Sequence, residues 1–563
     1  MPGIMRGHRK AKILPKARRF HGFEMRFPLI KAPNMTMDAD TKPRGAHAVC
    51  TSLGPRGPSP LLHGFSNGTG RLLSDRISHF SRGVAGLIAL AGLAYGPVAY
   101  AGPTAVLTNL GNFGTNAAGY GYSVGVAINA SGQITGQSSV YDASGSNKGQ
   151  AAFRSDGSTV TNLGNFGTNT SGYGYSNGVA INASGQVTGD SSVYDSSGNP
   201  KGQAAFRSNG TTLTNLGNLG TSTVGVGYSI GLAINASGQV AGNSDVYDAA
   251  GNYKGQAAFS SDGTTMTNLG NLGTNTSTGY GYSYGVAINV IGQVTGYSDV
   301  YDAAGNYKGQ AAFRSDGTTM TALGNFGSDT AGFGYSSGRA INASGQVAGN
   351  SGVYDASGNF KGQAAFRSDG STVTNLGNLG TDAAGIGFSY GVAINASGQV
   401  AGYSGVYDAA GNYKGQAAFR SDGTTMTNLG NLGTDASGFG FSYAEAINAR
   451  GAIVGYSNVD SDADGFFDRF HALYWDRSEL FDLNDLVSLK SYEYLESASA
   501  INDAGQIVGY GRNTNNGSFF AFRIDIRDAL VPVPGTVALL GLGLALLGFG
   551  HRRARLRVRT RHG

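Results

Sequence analysis

Residues 391–429 read GVAINASGQVAGYSGVYDAAGNYKGQAAFRSDGTTMTNL, and this stretch is one unit of a sequence repeat. Four short runs in it have the composition of strands, and the turn residues Ser397-Gly398 and Asp422-Gly423 divide two pairs of them. The runs that we predict as strands are Val392–Asn395, Gln399–Ser404, Gln416–Ser421 and Thr425–Leu429. A longer loop over Val406–Gly415 joins the second run to the third. Each unit is therefore predicted to be an antiparallel four-stranded meander.

The same unit occurs eight times, and each copy carries the triplet Ala-Ile-Asn. The triplets begin at Ala127, Ala180, Ala233, Ala287, Ala340, Ala393, Ala446 and Ala500. Their spacing is 53 or 54 residues, and a fixed period of this length indicates a repeat architecture. Eight consecutive four-stranded units are typical of a β-propeller, in which each unit forms one blade. We therefore predict an all-β fold, an eight-bladed β-propeller, with a β-solenoid as the alternative.

The two ends of the repeat region support a closed ring of blades. The stretch 106–111 reads as a fourth strand without partners, and the last unit ends at Phe520–Ile524, a third strand without its fourth. The N-terminal strand can therefore complete the last blade and remove an open sheet edge. Only Leu480–Leu495, in the seventh unit, permits a helix.

Charge and residue scarcity exclude several classes of function. The formal net charge of the chain is +5, but residues 102–530 carry 19 Lys and Arg against 31 Asp and Glu, a net of about −12. An acidic body argues against a nucleic-acid partner. The only cysteine is Cys50, and His471 is the only histidine inside the repeat region. The first six units therefore offer no Ser-His-Asp or Cys-His site and no zinc site of the His/Cys type.

An apolar run at 83–98 has the features of a secretory signal peptide. Arg76 and Arg82 precede it, and Ala99-Tyr100-Ala101 provides the small residues of a cleavage site, so we assign 73–101 to the signal and place the cut after Ala101. A membrane anchor is the alternative, but the run is short for one. We expect translation to start naturally near Leu72–Ser74, with 1–72 as a non-native stretch; a long disordered leader is the alternative.

The C-terminal segment 528–563 has three parts. Pro532-Val533-Pro534 precedes an apolar run, Val537–Gly550, and a basic end with Arg552, Arg553 and Arg555. The run is shorter than the ~20 residues that span a bilayer comfortably. The basic end is typical of a cytoplasmic membrane stop.

This layout resembles the PEP-CTERM sorting signal of exosortase substrates in Gram-negative bacteria, although Val533 stands where that signal usually has Glu. The resemblance implies passage through a secretion translocon and transient anchoring in the inner membrane. It further implies cleavage near Pro532–Pro534 by an exosortase-like enzyme, with release to the cell surface or matrix. A plain tail anchor is the alternative.

The repeat itself resembles the HAF family of extracellular repeats. Its markers are Leu-Gly-Asn-Leu/Phe-Gly, Ala-Ile-Asn-x-x-Gly-Gln-Val-x-Gly and Ala-Ala-Phe-Arg, and the match covers roughly 104–524 within the repeat domain 102–527. The family's His-Ala-Phe survives best at His471-Ala-Leu, whereas the first six units have Ala in place of His, as at Ala151 and Ala204. The resemblance implies no enzymatic activity.

An acidic loop in the seventh unit is the one candidate metal site. Asp460, Asp462, Asp464 and Asp468 take positions 1, 3, 5 and 9 of an oxygen-ligand calcium loop, and Phe466 at position 7 would give its backbone carbonyl. Position 12 is His471 rather than Glu, so we predict a modest affinity for calcium. A solvated acidic turn is the alternative.

Repeated Tyr-Asp pairs, such as Tyr141-Asp142 and Tyr407-Asp408, lie in the predicted long loops. Such residues can stack on sugars and bind their hydroxyls, and eight weak copies would bind a polymer through avidity. The alternative is that the aromatics pack between blades while the Asp residues cap turns. The sequons that recur at the first turn, such as Asn342-Ala-Ser344, are better explained as turn residues than as glycosylation sites.

From these observations we expect an exported protein of the cell surface or matrix, without enzymatic activity, that binds polysaccharide or protein partners. A secreted carbohydrate-active hydrolase with paired carboxylates is the first alternative. Its unique acids would be Glu445, Glu479, Asp482, Asp485, Glu493 and Glu496, which show no recognisable motif. A purely structural surface protein is the second alternative.

Overall fold

The computed structural model describes residues 103–462, 464–477 and 479–527. In this part of the chain the strands form eight antiparallel four-stranded blades of a propeller, and short parallel pairings link several neighbouring blades. The N-terminal leader and signal peptide, the Pro532–Pro534 processing site and the Arg552–Arg555 membrane stop lie outside the described residues. Among the residues described, no helix is long and apolar enough to cross a membrane.

The strands are numbered along the chain, and β1 belongs to the last blade. The first four blades and β1 comprise β1 (Thr104–Gly111); β2 (Ser123–Ile128), β3 (Ile134–Tyr141), β4 (Asn147–Ser155), β5 (Val160–Asn162); β6 (Gly174–Ile181), β7 (Val187–Tyr194), β8 (Pro200–Ser208), β9 (Leu213–Gly217); β10 (Gly227–Ile234), β11 (Val240–Tyr247), β12 (Tyr253–Ser261), β13 (Met266–Asn268); and β14 (Gly281–Ile288), β15 (Val294–Tyr301), β16 (Tyr307–Ser315), β17 (Met320–Gly324).

The remaining blades comprise β18 (Gly334–Ile341), β19 (Val347–Tyr354), β20 (Phe360–Ser368), β21 (Val373–Asn375); β22 (Ser389–Ile394), β23 (Val400–Tyr407), β24 (Tyr413–Ser421), β25 (Met426–Asn428); β26 (Gly440–Ile447), β27 (Ile453–Val459), β28 (Arg469–Asp476), β29 (Glu479–Asp482); and β30 (Glu493–Ile501), β31 (Gln506–Asn513), β32 (Phe519–Arg527). One short helix, α1 (Leu483–Leu486), follows β29.

The first strands of the blades form the inner ring of the propeller. Each of them contacts the first strand of the next blade, from β2 through β6, β10, β14, β18, β22 and β26 to β30, and β30 in turn contacts β2. The ring is therefore closed, and it surrounds a central channel. The second, third and fourth strands follow outward in order.

A ring of asparagine side chains closes the same circle at the turns between first and second strands. Each Asn Nδ2 donates to the backbone carbonyl of the equivalent Asn in the next blade, and Asn502 donates to the carbonyl of Asn129 at 2.9 Å. The ring consists of Asn129, Asn182, Asn235, Asn289, Asn342, Asn395, Asn448 and Asn502. Such closure needs eight blades and excludes an open solenoid.

The N-terminal strand completes the eighth blade, as the sequence predicted. β1 pairs antiparallel with β32, from Thr104 opposite Arg527 to Gly111 opposite Ala521. Leu107 packs against the core cluster of the last two blades, whereas Val106 on the other face of the strand is 45% exposed. The outer edge of β32 is thereby covered.

Apolar cores lie between neighbouring blades rather than inside one. In one of them Phe313 and Val294 of the fourth blade pack against Ala258 and Leu269 of the third, and the same set recurs around the ring. Glycine permits this close approach, because a Cβ on Gly285 would lie 2.9 Å from the carbonyl oxygen of Gly242 in the adjacent blade. Five near-identical interfaces therefore join the first six blades, whereas the interfaces of the seventh and eighth blades have other residue sets.

Two local predictions need correction. The predicted loop Val406–Gly415 is a short hairpin, because β23 runs to Tyr407 and β24 begins at Tyr413, and these two tyrosines face each other with ring centroids 5.5 Å apart. The helical stretch Leu480–Leu495 is reduced to α1, since its two ends belong to β29 and β30.

Candidate functional site

One residue of every first strand faces the channel because the pairing with the second strand shifts there. The shift leaves an unpaired bulge residue, and in the fourth blade this residue is Val286, between Gly285 and Ala287. The eight bulge residues are Val126, Val179, Leu232, Val286, Arg339, Val392, Glu445 and Ser499. All of them are at least partly exposed. Since first and second strands enclose each one on the other sides, the exposed atoms face the axis.

Arg339 and Glu445 are the two charged members of this bulge ring. They lie on the fifth and seventh blades, where five other blades have Val or Leu. Within the part of the chain that the structure describes, neither side chain takes part in an ion pair or a side-chain hydrogen bond. Both side chains are exposed, whereas the other six members of the ring are half-buried, so water reaches the two charges.

Tyrosines gather around these two charges. Tyr390 and Tyr403 stack across the first two strands of the sixth blade at 5.0 Å, and Tyr443 and Tyr456 do so in the seventh at 4.9 Å. An edge contact of 5.0 Å between Tyr403 and Tyr443 joins the two pairs. With Tyr284 and Tyr297 of the fourth blade, which stack at 4.8 Å, and Tyr510 of the eighth, they form what we call the tyrosine belt. Each ring is partly exposed.

The electrostatics connect the belt to the bulge ring. Enclosure by the surrounding blades raises the pKa of the Glu445 carboxyl, although water reaches the side chain. Burial first, and then the charge of Glu445, raises the pKa of Tyr456. Burial also raises the pKa of Tyr403. The charge of Arg339 lowers this pKa, and the charge of Glu445 raises it. The two opposite charges therefore share one aromatic neighbour.

A second carboxyl meets the belt at Tyr510. Burial raises the pKa of Glu496, and Arg512, with a nitrogen 4.0 Å from its Oε2, opposes this shift. The pKa of Tyr510 is raised by burial, then by Glu496, and further by Glu445. Two of the six unique acids named from the sequence therefore raise the pKa of the same phenol. Glu493 instead pairs with Lys490 at 3.2 Å, and Asp482 binds His471.

The second blade has Asn177 opposite Asp190 where the fourth blade has the stacked Tyr284 and Tyr297. Asp190 is only 4% exposed and receives hydrogen bonds from Asn177 and Gln203, and its burial raises its pKa to about 6. A cavity of about 480 Å³ is lined by Gln203, Asn243 and Asp245 together with Tyr228, Tyr247 and Tyr253. Burial raises the pKa of Asp245 as well. The blades therefore differ at these cross-strand positions.

The predicted calcium loop has a compact acidic centre. Carboxylate oxygens of Asp460, Asp462 and Asp464 all lie within 4.8 Å of one another. Asp460 accepts hydrogen bonds from the backbone N–H groups of Asp464 and Gly465, at 3.2 and 2.7 Å. These oxygens could hold a hard cation, although exposed acidic groups commonly lie together without one. Calcium binding here stays a prediction.

The other two predicted ligands are placed differently. The Asp468 carboxylate accepts from the Ser461 hydroxyl at 2.6 Å and pairs with Arg469 at 2.9 Å, outside the group of three. Phe466 donates its N–H to Asp464, and its side chain is 72% exposed. His471 is engaged elsewhere, with its Nδ1 2.6 Å from Asp482.

The Tyr-Asp pairs occupy hairpin turns between second and third strands. Asp408 Oδ1 accepts from the N–H groups of Ala410 and Asn412, and Tyr407 packs on Tyr413, which in turn contacts Phe439. The Asp residues therefore cap turns. The sequon residue Asn342 is 5% exposed and bonded into the asparagine ring, so its amide is held as a structural group.

Comparison with known proteins finds solved structures of low sequence identity to this chain. No protein-family model matches the sequence, and no match was found among curated proteins. The structure is similar to the β-propeller domain of the Trilobed protease from Pyrococcus furiosus, with 10% identity, a TM-score of 0.36, and coverage of 62% of this chain and 95% of that domain. It is also similar to Trypanosoma rangeli sialidase (11% identity, TM-score 0.28, 75% and 60% covered) and to the GH74 xyloglucanase from Xanthomonas campestris (14%, 0.25, 70% and 63%). The propeller assignment itself rests on the closed ring of blades in this structure.

The prediction that the protein is not an enzyme has to be corrected. The similar structures are a protease propeller domain and glycoside hydrolases, so absence of activity does not follow from the repeat architecture. Glu445 and Glu496, two of the unique carboxyls, both raise the pKa of Tyr510, after its burial.

Sequence reasoning missed the bulge ring and the tyrosine belt. A signal was available, because the units differ at these very positions: the residue before Gly285 or its equivalents is Val, Asn, Ile, Tyr, Ser, Tyr and Tyr in the first seven units. The sequence did not reveal the register shift in each first strand. Without that shift, the face on which the bulge residues and the tyrosines lie could not be predicted.

Proposed function

We propose that this protein is a carbohydrate-binding β-propeller that engages a polysaccharide at the tyrosine belt of its central channel. Partly exposed aromatic rings suit the apolar faces of sugars, and the nearby hydroxyl, carboxyl and amide groups suit their hydroxyls. Among the residues described, Arg339 and Glu445 take part in no ion pair and no side-chain hydrogen bond.

The observation that carries the proposal is where the repeats differ. Third strands keep Lys-Gly-Gln-Ala-Ala-Phe in all of the first six units. The facing positions of first and second strands instead change from blade to blade, as in Asn177 opposite Asp190, Tyr284 opposite Tyr297 and Ser337 opposite Asn350. A purely structural ring would need one set of residues at equivalent places. An asymmetric channel suits an asymmetric ligand.

A glycan array tests this proposal. The polysaccharides that bind the purified protein on the array are then titrated calorimetrically. Tyr403→Ala should weaken binding by about five- to thirtyfold, since stacking of a sugar on one ring is worth on the order of 1–2 kcal/mol. Tyr307→Ala is the matched control, because Tyr307 is 42% exposed in a hairpin away from the belt. Loss of binding in Tyr307→Ala alone would move the site to the hairpins and contradict the proposal.

A hydrolytic activity is the second candidate, and one observation favours it. Glu445 and Glu496 are two carboxyls with raised pKa that act on the same phenol, and a carboxyl that stays protonated can serve as a general acid. The test is release of reducing ends from each bound polysaccharide, with Glu445→Gln and Glu496→Gln as inactive variants. Turnover that persists in both variants would exclude these residues as the acids.

The location that we propose is the cell surface or matrix of a Gram-negative bacterium. The signal-like segment 73–101 and the PEP-CTERM-like segment 528–563 support export and processing. Mass spectrometry of the mature protein should find termini near Ala101 and Pro532–Pro534. A mature chain that retains Arg552 and Arg553 would support a tail anchor instead.

A further inference from the structure

The cavity of about 480 Å³ lies where the second and third blades meet. Its volume is within the range of about 300–1,000 Å³ that small-molecule sites occupy. A parallel pairing of Tyr228 with Gln203 links β10 to β8, and both residues line the cavity. Tyr228 is 44% exposed, and within the described part of the chain its ring contacts no other aromatic ring. The lining therefore offers an aromatic ring that no neighbouring ring covers.

The same lining contains a buried amide without a partner. Asn243 is 8% exposed, and among the residues described its side chain makes no hydrogen bond. The residue opposite it across the strands is Ile230, whose side chain can neither donate nor accept. Buried amides are normally hydrogen-bonded, because burial without a partner costs free energy. Since Asn243 lines the cavity, a ligand there would supply the missing donor and acceptor.

The fifth blade shows how the equivalent amide is held when no cavity site is needed. There Asn350 donates to Gln363 Oε1 at 2.9 Å. The corresponding glutamine of the third blade, Gln256, donates to Asp245 instead, at 2.9 Å. Asp245 therefore takes the partner that Asn243 would otherwise have, and the amide is left to the cavity.

The charges around the cavity favour an uncharged ligand. Among the residues described, Asp245 is the only ionised side chain of the acidic or basic kind in the lining, which has no Lys, Arg or His. The lysines of the adjoining strands, Lys201 of β8 and Lys254 of β12, pair with Asp195 and Asp248 at 3.8 and 3.6 Å. A carboxylate or phosphate of a ligand would therefore meet no positive partner. Hydroxyl groups can bond to the amides and to Asp245 alike.

We infer that this cavity is a subsite for a neutral sugar ring, with Tyr228 as the stacking platform and Asn243 and Asp245 as the hydrogen-bonding groups. An aromatic ring beside amide and carboxyl groups matches a sugar, which has apolar faces and hydroxyls around its rim. The polysaccharide of the proposed function would then carry uncharged, hydroxyl-bearing units. The inference rests on the proposed function for the class of ligand, but its site is separate from the tyrosine belt.

Calorimetric titration of the full chain at neutral pH tests the subsite. The neutral probes are cellotetraose, mannotetraose and xylotetraose, and the anionic probe is tetragalacturonate. We expect at least one neutral probe to bind, and tetragalacturonate to bind about tenfold more weakly or not at all. Asn243→Ala should weaken binding of the neutral probe about tenfold, and Tyr228→Ala about fivefold. Tyr335→Ala is the matched control that should bind normally, because it removes the equivalent tyrosine of the fifth blade, where Gly352 stands in place of Asp245.

Thermal unfolding without sugar separates a binding role of Asn243 from a structural one. Asn243 has no hydrogen bond to lose, so Asn243→Ala should leave the midpoint of unfolding unchanged or raise it. Asn350→Ala, which breaks the bond to Gln363, should lower the midpoint. Equal falls in both variants would make Asn243 a structural residue and would overturn the subsite.

The remaining outcomes separate this inference from the proposed function. Binding that is lost in Tyr403→Ala but kept in Asn243→Ala and Tyr228→Ala would assign the sugar to the tyrosine belt alone and overturn the subsite. Absence of heat with all three neutral probes would also overturn the subsite, whereas the proposed function would fail only if the glycan array were empty too. Equally tight binding of tetragalacturonate that depends on Asn243 would contradict the neutral class of sugar.

Discussion

Single buried carboxyls in the blades set how stability depends on pH. Burial raises the pKa of Asp190 to about 6 from 3.8, so between these values the folded protein binds more protons than the unfolded chain. The free energy of unfolding therefore falls as pH rises through this window. Asp190→Asn should stabilise the protein by about 1–2 kcal/mol at neutral pH and by nothing below about pH 4. Urea unfolding at the two pH values measures the difference.

An exposed turn carboxylate provides a control of opposite sign. Asp156 accepts from the N–H groups of Ser158 and Thr159, and these bonds hold its pKa at about 2. The stabilisation that it gives is present at neutral pH and is lost as pH falls from about 4 to 2. Asp156→Asn should therefore destabilise at neutral pH. If both variants shifted stability in the same direction, desolvation of Asp190 could not be the cause.

The asparagine ring supports a second prediction at this scale. Asn342 Nδ2 donates to Gln346 Oε1 at 2.8 Å and to the carbonyl of Asn395 at 3.1 Å, while its Oδ1 accepts from the N–H of Gln346 at 2.9 Å. Asn342→Ala leaves buried groups without partners and should cost about 2–4 kcal/mol. Ser344→Ala, which removes only a hydroxyl bonded to the same Oδ1, should cost less than about 1 kcal/mol. Equal losses would show that the ring adds nothing beyond the turn.

These residues also show how far the sequence could be interpreted. The position of each Asn before a Ser-Gly or similar pair predicted a turn, and the structure has the turn. The bond to the next blade joins residues 53 or 54 positions apart, and nothing in one unit indicates it. Arg339 and Glu445 were visible as departures from Val, but only the bulge in each first strand shows that they face the channel.

At the scale of one element, the hairpin between β27 and β28 carries the calcium prediction. Three Asp carboxylates lie within 4.8 Å of one another, and their mutual repulsion should fall when a cation binds. Calorimetric titration of the protein with calcium should give a dissociation constant on the order of 10⁻⁴–10⁻³ M. The double variant Asp462→Ala, Asp464→Ala should abolish the heat. The hairpin of the sixth blade provides a control. There Asp408 Oδ1 accepts from the N–H groups of Ala410 and Asn412, and the variant Asp408→Ala should bind calcium as the unchanged protein does.

The same hairpin explains why element bounds were predicted less well than element types. Strands, turns and their order were predicted from one unit. The loop Val406–Gly415 was predicted too long because Tyr407 and Tyr413 were assigned to the loop. In the structure these two tyrosines pair across β23 and β24 and lengthen both strands. Cross-strand aromatic contacts stabilise a hairpin beyond what its turn residues indicate.

At the scale of the whole molecule, closure depends on one short strand. β1 covers the outer edge of β32, and without it the last blade would expose unpaired N–H and C=O groups. Deletion of Thr104–Gly111 should lower the midpoint of thermal unfolding and promote association between chains. Size-exclusion chromatography with light scattering, together with calorimetry, measures both effects.

Two neighbouring substitutions distinguish closure from mere loss of chain length. Leu107 packs against the core of the last two blades, whereas Val106 points to the other face and is 45% exposed. Leu107→Asp should therefore destabilise by about 2–4 kcal/mol, since it buries a carboxylate in an apolar cluster, while Val106→Asp should change stability by less than about 1 kcal/mol. Because the inner ring is continuous from β2 to β30, damage at β1 should open the ring at the first and last blades first. Hydrogen exchange that rises in β30–β32 of Leu107→Asp before the other blades would support this order, whereas uniform exchange across all eight blades would show that the ring unfolds as one unit.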